Sequence, residues 1–103
     1  MYKIIFYVPL SHLDVVKNAL FTSGAGKIGQ YSNCAWQTLG EGQFMPLAGS
    51  NPFLGNENQI ETVAEYKVEM VCDATYLHAA IAALKKTHPY EQPAYYVIKI
   101  EAI

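Results

Sequence analysis

Thr62-Val63-Ala64-Glu65-Tyr66-Lys67-Val68-Glu69-Met70-Val71-Cys72 is the stretch whose reading decides the fold. Ala64, Tyr66, Val68, Met70 and Cys72 fall on one side of an extended chain, and Glu65, Lys67 and Glu69 on the other. Side chains of a strand alternate with a period of two, so the segment reads as a half-buried strand. Asp73 then offers a helix cap, and Leu77, Ala80, Ile81 and Leu84 recur at helical spacing until His88-Pro89 stops the helix. A last strand is expected from Ala94 to Ile103.

The same unit stands upstream. Tyr2 to Val8 alternates, with Ile4, Phe6 and Val8 on one face and Lys3, Ile5 and Tyr7 on the other, and Pro9 ends it. Ser11 reads as an N-cap with Asp14 three residues on, a carboxylate variant of the capping box. Leu13, Val16, Ala19 and Leu20 share a helical face, and Gly24 supplies a left-handed stop. Tyr31 to Thr38 reads as a strand that turns at Gly40-Glu41-Gly42 into Gln43-Phe44-Met45. Pro46 to Gln59 is the one long loop, the kind of segment that in a compact domain is functional or disordered. The order is βαββαβ: an α+β, ferredoxin-like fold, an antiparallel sheet with two helices on one face. The 103 residues fit one domain, 1–103.

The second sheet face needs a cover. Ile5, Tyr7, Val63, Val71, Tyr95 and Val97 are expected there among Lys3, Glu65, Lys67, Glu69 and Lys99. That mixture is too apolar to be comfortably wet and too charged for a dry core. Packing against another copy, with cross-strand ion pairs, accounts for it; an open solvated face is the alternative. The 16% charged content and eight tyrosines also favour self-association, although strands use tyrosine without it.

Charge narrows the partners. The net charge is -2 and all seven basic residues are lysine, so the bidentate reading of phosphate or guanine by arginine has no donor and nucleic acid is not expected. No apolar run approaches the roughly 18 residues of a membrane span, and Met1-Tyr2-Lys3-Ile4-Ile5 enters a strand without a signal-peptide layout. The expected compartment is the cytoplasm. In that reducing setting Cys34 and Cys72 read as small buried apolar groups.

Two segments stand out for chemistry. Gly24-Ala25-Gly26-Lys27-Ile28-Gly29 matches G-x-G-x-x-G, but it follows a helix and opens a strand, so no helix N-terminus faces a pyrophosphate and the dinucleotide reading fails. What remains is a backbone that approaches a ligand, another chain or its own sheet closely, or merely a helix stop and a turn. His88-Pro89-Tyr90-Glu91-Gln92-Pro93 is the densest polar and aromatic cluster. His88 and Glu91 are two candidate metal ligands, too few for a zinc site; the other reading is a rigid turn set by two prolines. No nucleophile, base and oxyanion donor stand together, so no catalytic residue is assigned.

The runs Gly24 to Cys34, Gly40 to Pro46 and His88 to Tyr95 resemble the domain inserted in YqfO proteins, members of the NIF-three-like family. The tail is also similar to CutA, the divalent-ion-tolerance protein, and the inserted domain is similar in fold to CutA and the PII signalling proteins. The resemblance implies a trimer with ligand clefts between subunits. YqfO proteins carry their two-metal site on a separate domain rich in His and Glu, so a hydrolase or cyclohydrolase activity does not carry over to this chain. Gln92 also stands where the second glutamate of the usual Glu-Glu pair would be. The expectation is a stand-alone homotrimeric regulatory or small-ligand-binding module whose ligand is unidentified. Gly24, Gly26, Gly29, His88, Tyr90 and Glu91 would line its cleft. The alternative is a CutA-like protein whose cofactor is a divalent metal on His88 and Glu91.

Overall fold

Residues 1–101 and 103 are described in the computed structural model. Strand β1 (Tyr2–Pro9) lies inside a four-stranded sheet. Helix α1 (Leu13–Ser23) leads to β2 (Trp36–Phe44), and β3 (Glu61–Cys72) leads to helix α2 (Leu77–Thr87) and β4 (Tyr95–Lys99). The sheet order is β2-β3-β1-β4 with every neighbouring pair antiparallel. This is the α+β βαββαβ arrangement read from the sequence.

Alternation in β1 and β3 sends one face of each strand into the core. Ile4, Phe6 and Val8 meet Val68, Met70 and Cys72 there, covered by Leu13, Val16 and Leu20 of α1 and Ala80 and Leu84 of α2. Side chains buried this completely each contribute roughly 1.5–3 kcal/mol. Gly24 ends α1 at φ 113°, and the Asp73 carboxylate accepts from the Thr75 N–H in the 3-10 turn before α2. Both features were legible in the sequence.

The opposite face carries Lys3, Ile5 and Tyr7 of β1 beside Glu65, Lys67, Glu69 and Val71 of β3. Here β4 departs from expectation. Its register pairs Phe6 with Tyr95 and Ile4 with Val97, so Tyr95, Val97 and Lys99 share the helix side, while Tyr96 and Ile98 occupy the open face with Ile5 and Lys3. Directly paired residues point the same way, and a one-residue slip exchanges the faces. Tyr95 packs on the core with the Lys85 ammonium over its ring. Tyr96 meets the Tyr7 ring edge-on at 6.4 Å.

The Gly40-Glu41-Gly42 hairpin does not form. These residues lie within β2, which pairs with β3 without a break from Trp36 to Phe44. Gly42 serves space rather than a turn: a Cβ there would fall onto the Glu65 carboxylate, whereas one at Gly40 would meet nothing within 4 Å. The strand expected from Tyr31 starts only at Trp36, because Asn33 takes φ 57° and turns the chain. Ser11 does not cap α1. It lies in a 3-10 turn, Leu10–His12, and its Oγ bonds His12 Nδ1 at 2.8 Å, although Asp14 does stand in the first helical turn. Cys72 is buried, but Cys34 is only half-buried in the loop before β2. β4 ends at Lys99, short of the predicted Ile103, and Ala102 of that span lies outside the described residues. Among the described residues no helix is long and apolar enough to cross a membrane.

Candidate functional site

His88 follows α2 in extended conformation, φ -70° and ψ 137°, as a residue before proline must. Its ring is thereby turned under the sheet, where it is 6% exposed. Nδ1 accepts from the Tyr90 N–H at 3.1 Å, which leaves the proton on Nε2 to be donated to the Tyr7 carbonyl at 2.6 Å. Burial holds its pKa below the usual histidine value, with the bond to Tyr7 acting against that trend. His88 is a neutral fastener between the turn and β1.

The fastener sets Tyr90, whose ring lies 4.8 Å from the imidazole, at the Tyr7 end of the open sheet face. Its hydroxyl donates to Glu65 Oε2 at 3.2 Å. Burial pushes the Glu65 carboxyl above the ordinary range, and the Tyr90 bond partly offsets this. The Tyr90 phenol is pushed up to about 12, by burial first and then by the neighbouring carboxylate. Phe44 from the end of β2 and Phe53 from the long loop sit 6.1 and 6.2 Å from the Tyr90 ring.

The long loop therefore closes back on the sheet. The Asn58 N–H donates to Pro46 O at 2.7 Å across its base, Phe53 meets the His12 ring edge-on, and the Asn51 N–H reaches Glu91 Oε1 at 3.4 Å. Between loop, sheet and turn is a mostly apolar cavity of about 420 Å³. Tyr90 and Glu91, both predicted, line it together with Tyr7, Phe44, Phe53 and Glu65, which the sequence reading did not select. Alternation had put Tyr7 and Glu65 on the correct face, and that was the signal available. Nothing local marked Phe53, because only the path of the loop brings it over the sheet.

Gly24, Gly26 and Gly29 do not line this cavity. Gly26, at φ 79°, donates its N–H to Val71 O and accepts from the Cys34 N–H, both at 2.8 Å. Val71 pairs with Lys3, so this loop meets the sheet at the end of β1 remote from Tyr7. A second cavity there is lined by Lys3, Ile28, Cys34, Trp36 and Glu69. Within one chain the two motifs thus occupy opposite ends of the sheet.

A metal does not fit the His88 and Glu91 pair as it stands. Both imidazole nitrogens are already bonded, and among the described residues no group of three or more His, Cys, Asp or Glu could hold an ion.

No protein-family model matches the chain. A Mycobacterium leprae protein named GTP cyclohydrolase 1 type 2 homolog is 47% identical over 93 residues, 90% of this chain and 24% of that protein. The crystal structure of a Bacillus cereus protein related to NIF3 superposes with a TM-score of 0.84 at 35% identity, over 98% of this chain and 26% of that one. The periplasmic divalent cation tolerance protein CutA from Archaeoglobus fulgidus gives 0.70 at 18% identity, over 99% and 86% of the two chains, a likeness of fold alone. The chain spans about a quarter of the length of the curated relatives it matches. It is a homologue of that quarter-length segment of the NIF-three-like (YqfO) proteins, with the fold of CutA.

Proposed function

We infer that this chain is a small-ligand-binding, regulatory module that works as a homo-oligomer, a trimer, in the cytoplasm. The observation that carries the reading is the cavity under the long loop. It is concave and mostly apolar, and its few polar groups are held in place: Glu65 by Tyr90, Glu91 by Asn51, and Tyr90 by His88. Small-molecule sites have this composition. Side chains bonded to one another in this way suit recognition better than proton transfer.

The open sheet face supports the oligomer. Trp36, Tyr96 and Ile98 on it are 69%, 56% and 50% exposed, set among Lys3, Glu65, Lys67 and Glu69. Aromatic residues with interspersed charges are what a subunit boundary uses. In such an assembly the Gly24 to Gly29 loop of one chain would face the His88 to Pro93 turn of another, which is the only way the two motifs can share a cleft. Light scattering at micromolar concentration tests the trimer, with an expected mass three times the 11.4 kDa of the chain. A monomer mass would end the reading. Lys67→Glu, which sets a third acid beside Glu65 and Glu69, is expected to weaken assembly.

A further inference from the structure

Building on the reading of the cavity as a ligand pocket, we propose that its ligand is a small organic cation, an ammonium group bearing apolar substituents. Four aromatic side chains line it, Tyr7, Phe44, Phe53 and Tyr90, and its two ionisable acids are Glu65 and Glu91. No lysine or histidine lines it. An anion would therefore meet two carboxylates with no counter-charge. A neutral apolar ligand would fill the space yet strip water from the Glu65 carboxylate and offer nothing in return.

A substituted ammonium ion answers both demands. Its charge is spread over alkyl groups, so it sheds water readily, and the electron-rich faces of aromatic rings attract it. A compact metal ion differs, since it needs a shell of oxygen ligands that two carboxylates and four rings do not provide. Gly42 belongs to the same design, because the absence of its Cβ is what lets the Glu65 carboxylate lie where it does against the sheet. The raised Glu65 carboxyl fits as well: it is an acid short of a positive partner.

Three probes of nearly one shape test the charge. Choline, 3,3-dimethylbutan-1-ol and 3,3-dimethylbutanoate are titrated into isotope-labelled protein, following the backbone amide signals of Tyr7, Phe53 and Tyr90 by NMR. Choline is expected to shift these signals with an affinity about tenfold or more above that of the alcohol. Glu65→Gln should abolish that preference, weakening choline while the alcohol, freed from desolvating a carboxylate, binds no worse than before; Glu91→Gln, at an exposed position, should reduce it and serves should the first variant misfold. If the alcohol or the carboxylate binds as tightly as choline, the cation is refuted while the pocket reading stands. If none of the three moves these signals, the pocket reading falls and the cation with it.

Discussion

Each helix is followed by an irregular connection that leads to an edge strand of the sheet, yet the two connections are held in opposite ways. After α1, the Gly24 to Ala35 segment is fixed mainly by its backbone. Gly24 closes the helix, Gly26 bonds Val71 and Cys34, and Ile28 and Tyr31 exchange hydrogen bonds at 2.9 Å around Gly29. After α2, the His88 to Ala94 segment is fixed by side chains, through His88 to Tyr7 and Tyr90 to Glu65. A backbone-held loop constrains the sequence to glycine and, past the buried Ala25, leaves the side chains from Lys27 to Asn33 in solvent. A turn held by side chains spends them on structure and, by fixing Tyr90, shapes a cavity. The G-x-G-x-x-G pattern is thus chiefly conformational, whereas the His-Pro-Tyr-Glu pattern builds the candidate site.

The largest test of this contrast is His88→Ala. It leaves the Tyr7 carbonyl and the Tyr90 N–H without partners and opens a hole, so a loss of about 2–4 kcal/mol in urea unfolding is expected. A loss below about 1 kcal/mol would mean that the turn does not depend on the imidazole.

The glycine loop should respond through conformation instead. Gly26→Ala forces a Cβ against the Phe21 ring, 2.8 Å away, at φ 79°, and is expected to cost about 2 kcal/mol. Gly29→Ala meets nothing within 4 Å, so only the left-handed backbone, about 1 kcal/mol, is at stake. Equal effects at the two positions would show that steric approach plays no part. Thermal or urea unfolding of the pair separates the cases.

Smaller, pH-linked effects distinguish the ends further. The His88 pKa is lowered in the folded protein, so the unfolded chain binds the extra proton; stability should be complete above the ordinary 6.5 and fall as pH drops below it. Glu65 is raised, so the folded protein holds its proton longer; that contribution is present below 4.5 and lost as pH climbs past the raised value. Glu65→Gln should remove the second slope and keep the first, as read from unfolding midpoints across pH 4 to 8. A variant whose whole profile matched the wild type would contradict the raised carboxyl of the half-buried Glu65.

At the glycine-loop end of the open face, the Lys3–Glu69 ion pair spans 2.7 Å, with the lysine side chain 40% exposed. Lys3→Ala is expected to change stability by no more than about 0.5 kcal/mol at moderate salt, because solvent screens such pairs. A larger loss would indicate that this end of the face is covered in solution.

Sequence alone determined β1, β3, both helices and the existence of a last strand, in order, together with the faces of β1 and β3, the Gly24 stop and the Asp73 cap, while it broke β2 into a hairpin. Each rests on interactions within a few residues or on a period repeated over a long run: Ile4, Phe6 and Val8 announce a buried face whatever packs on it. It did not determine β4, whose Tyr95-Tyr96-Val97-Ile98 is apolar on both faces, so that no alternation marks which side is in; pairing with Ile4 and Phe6 decides it. Nor could Gly40 and Gly42 be told from turn residues until β3 lay beside them and the Glu65 carboxylate came over Gly42. The cavity is the clearest instance. Its walls come from β1, β2, β3, the loop and the turn, with Tyr7 and Tyr90 83 residues apart, and only the closed sheet puts Phe53 and Glu65 on one ring.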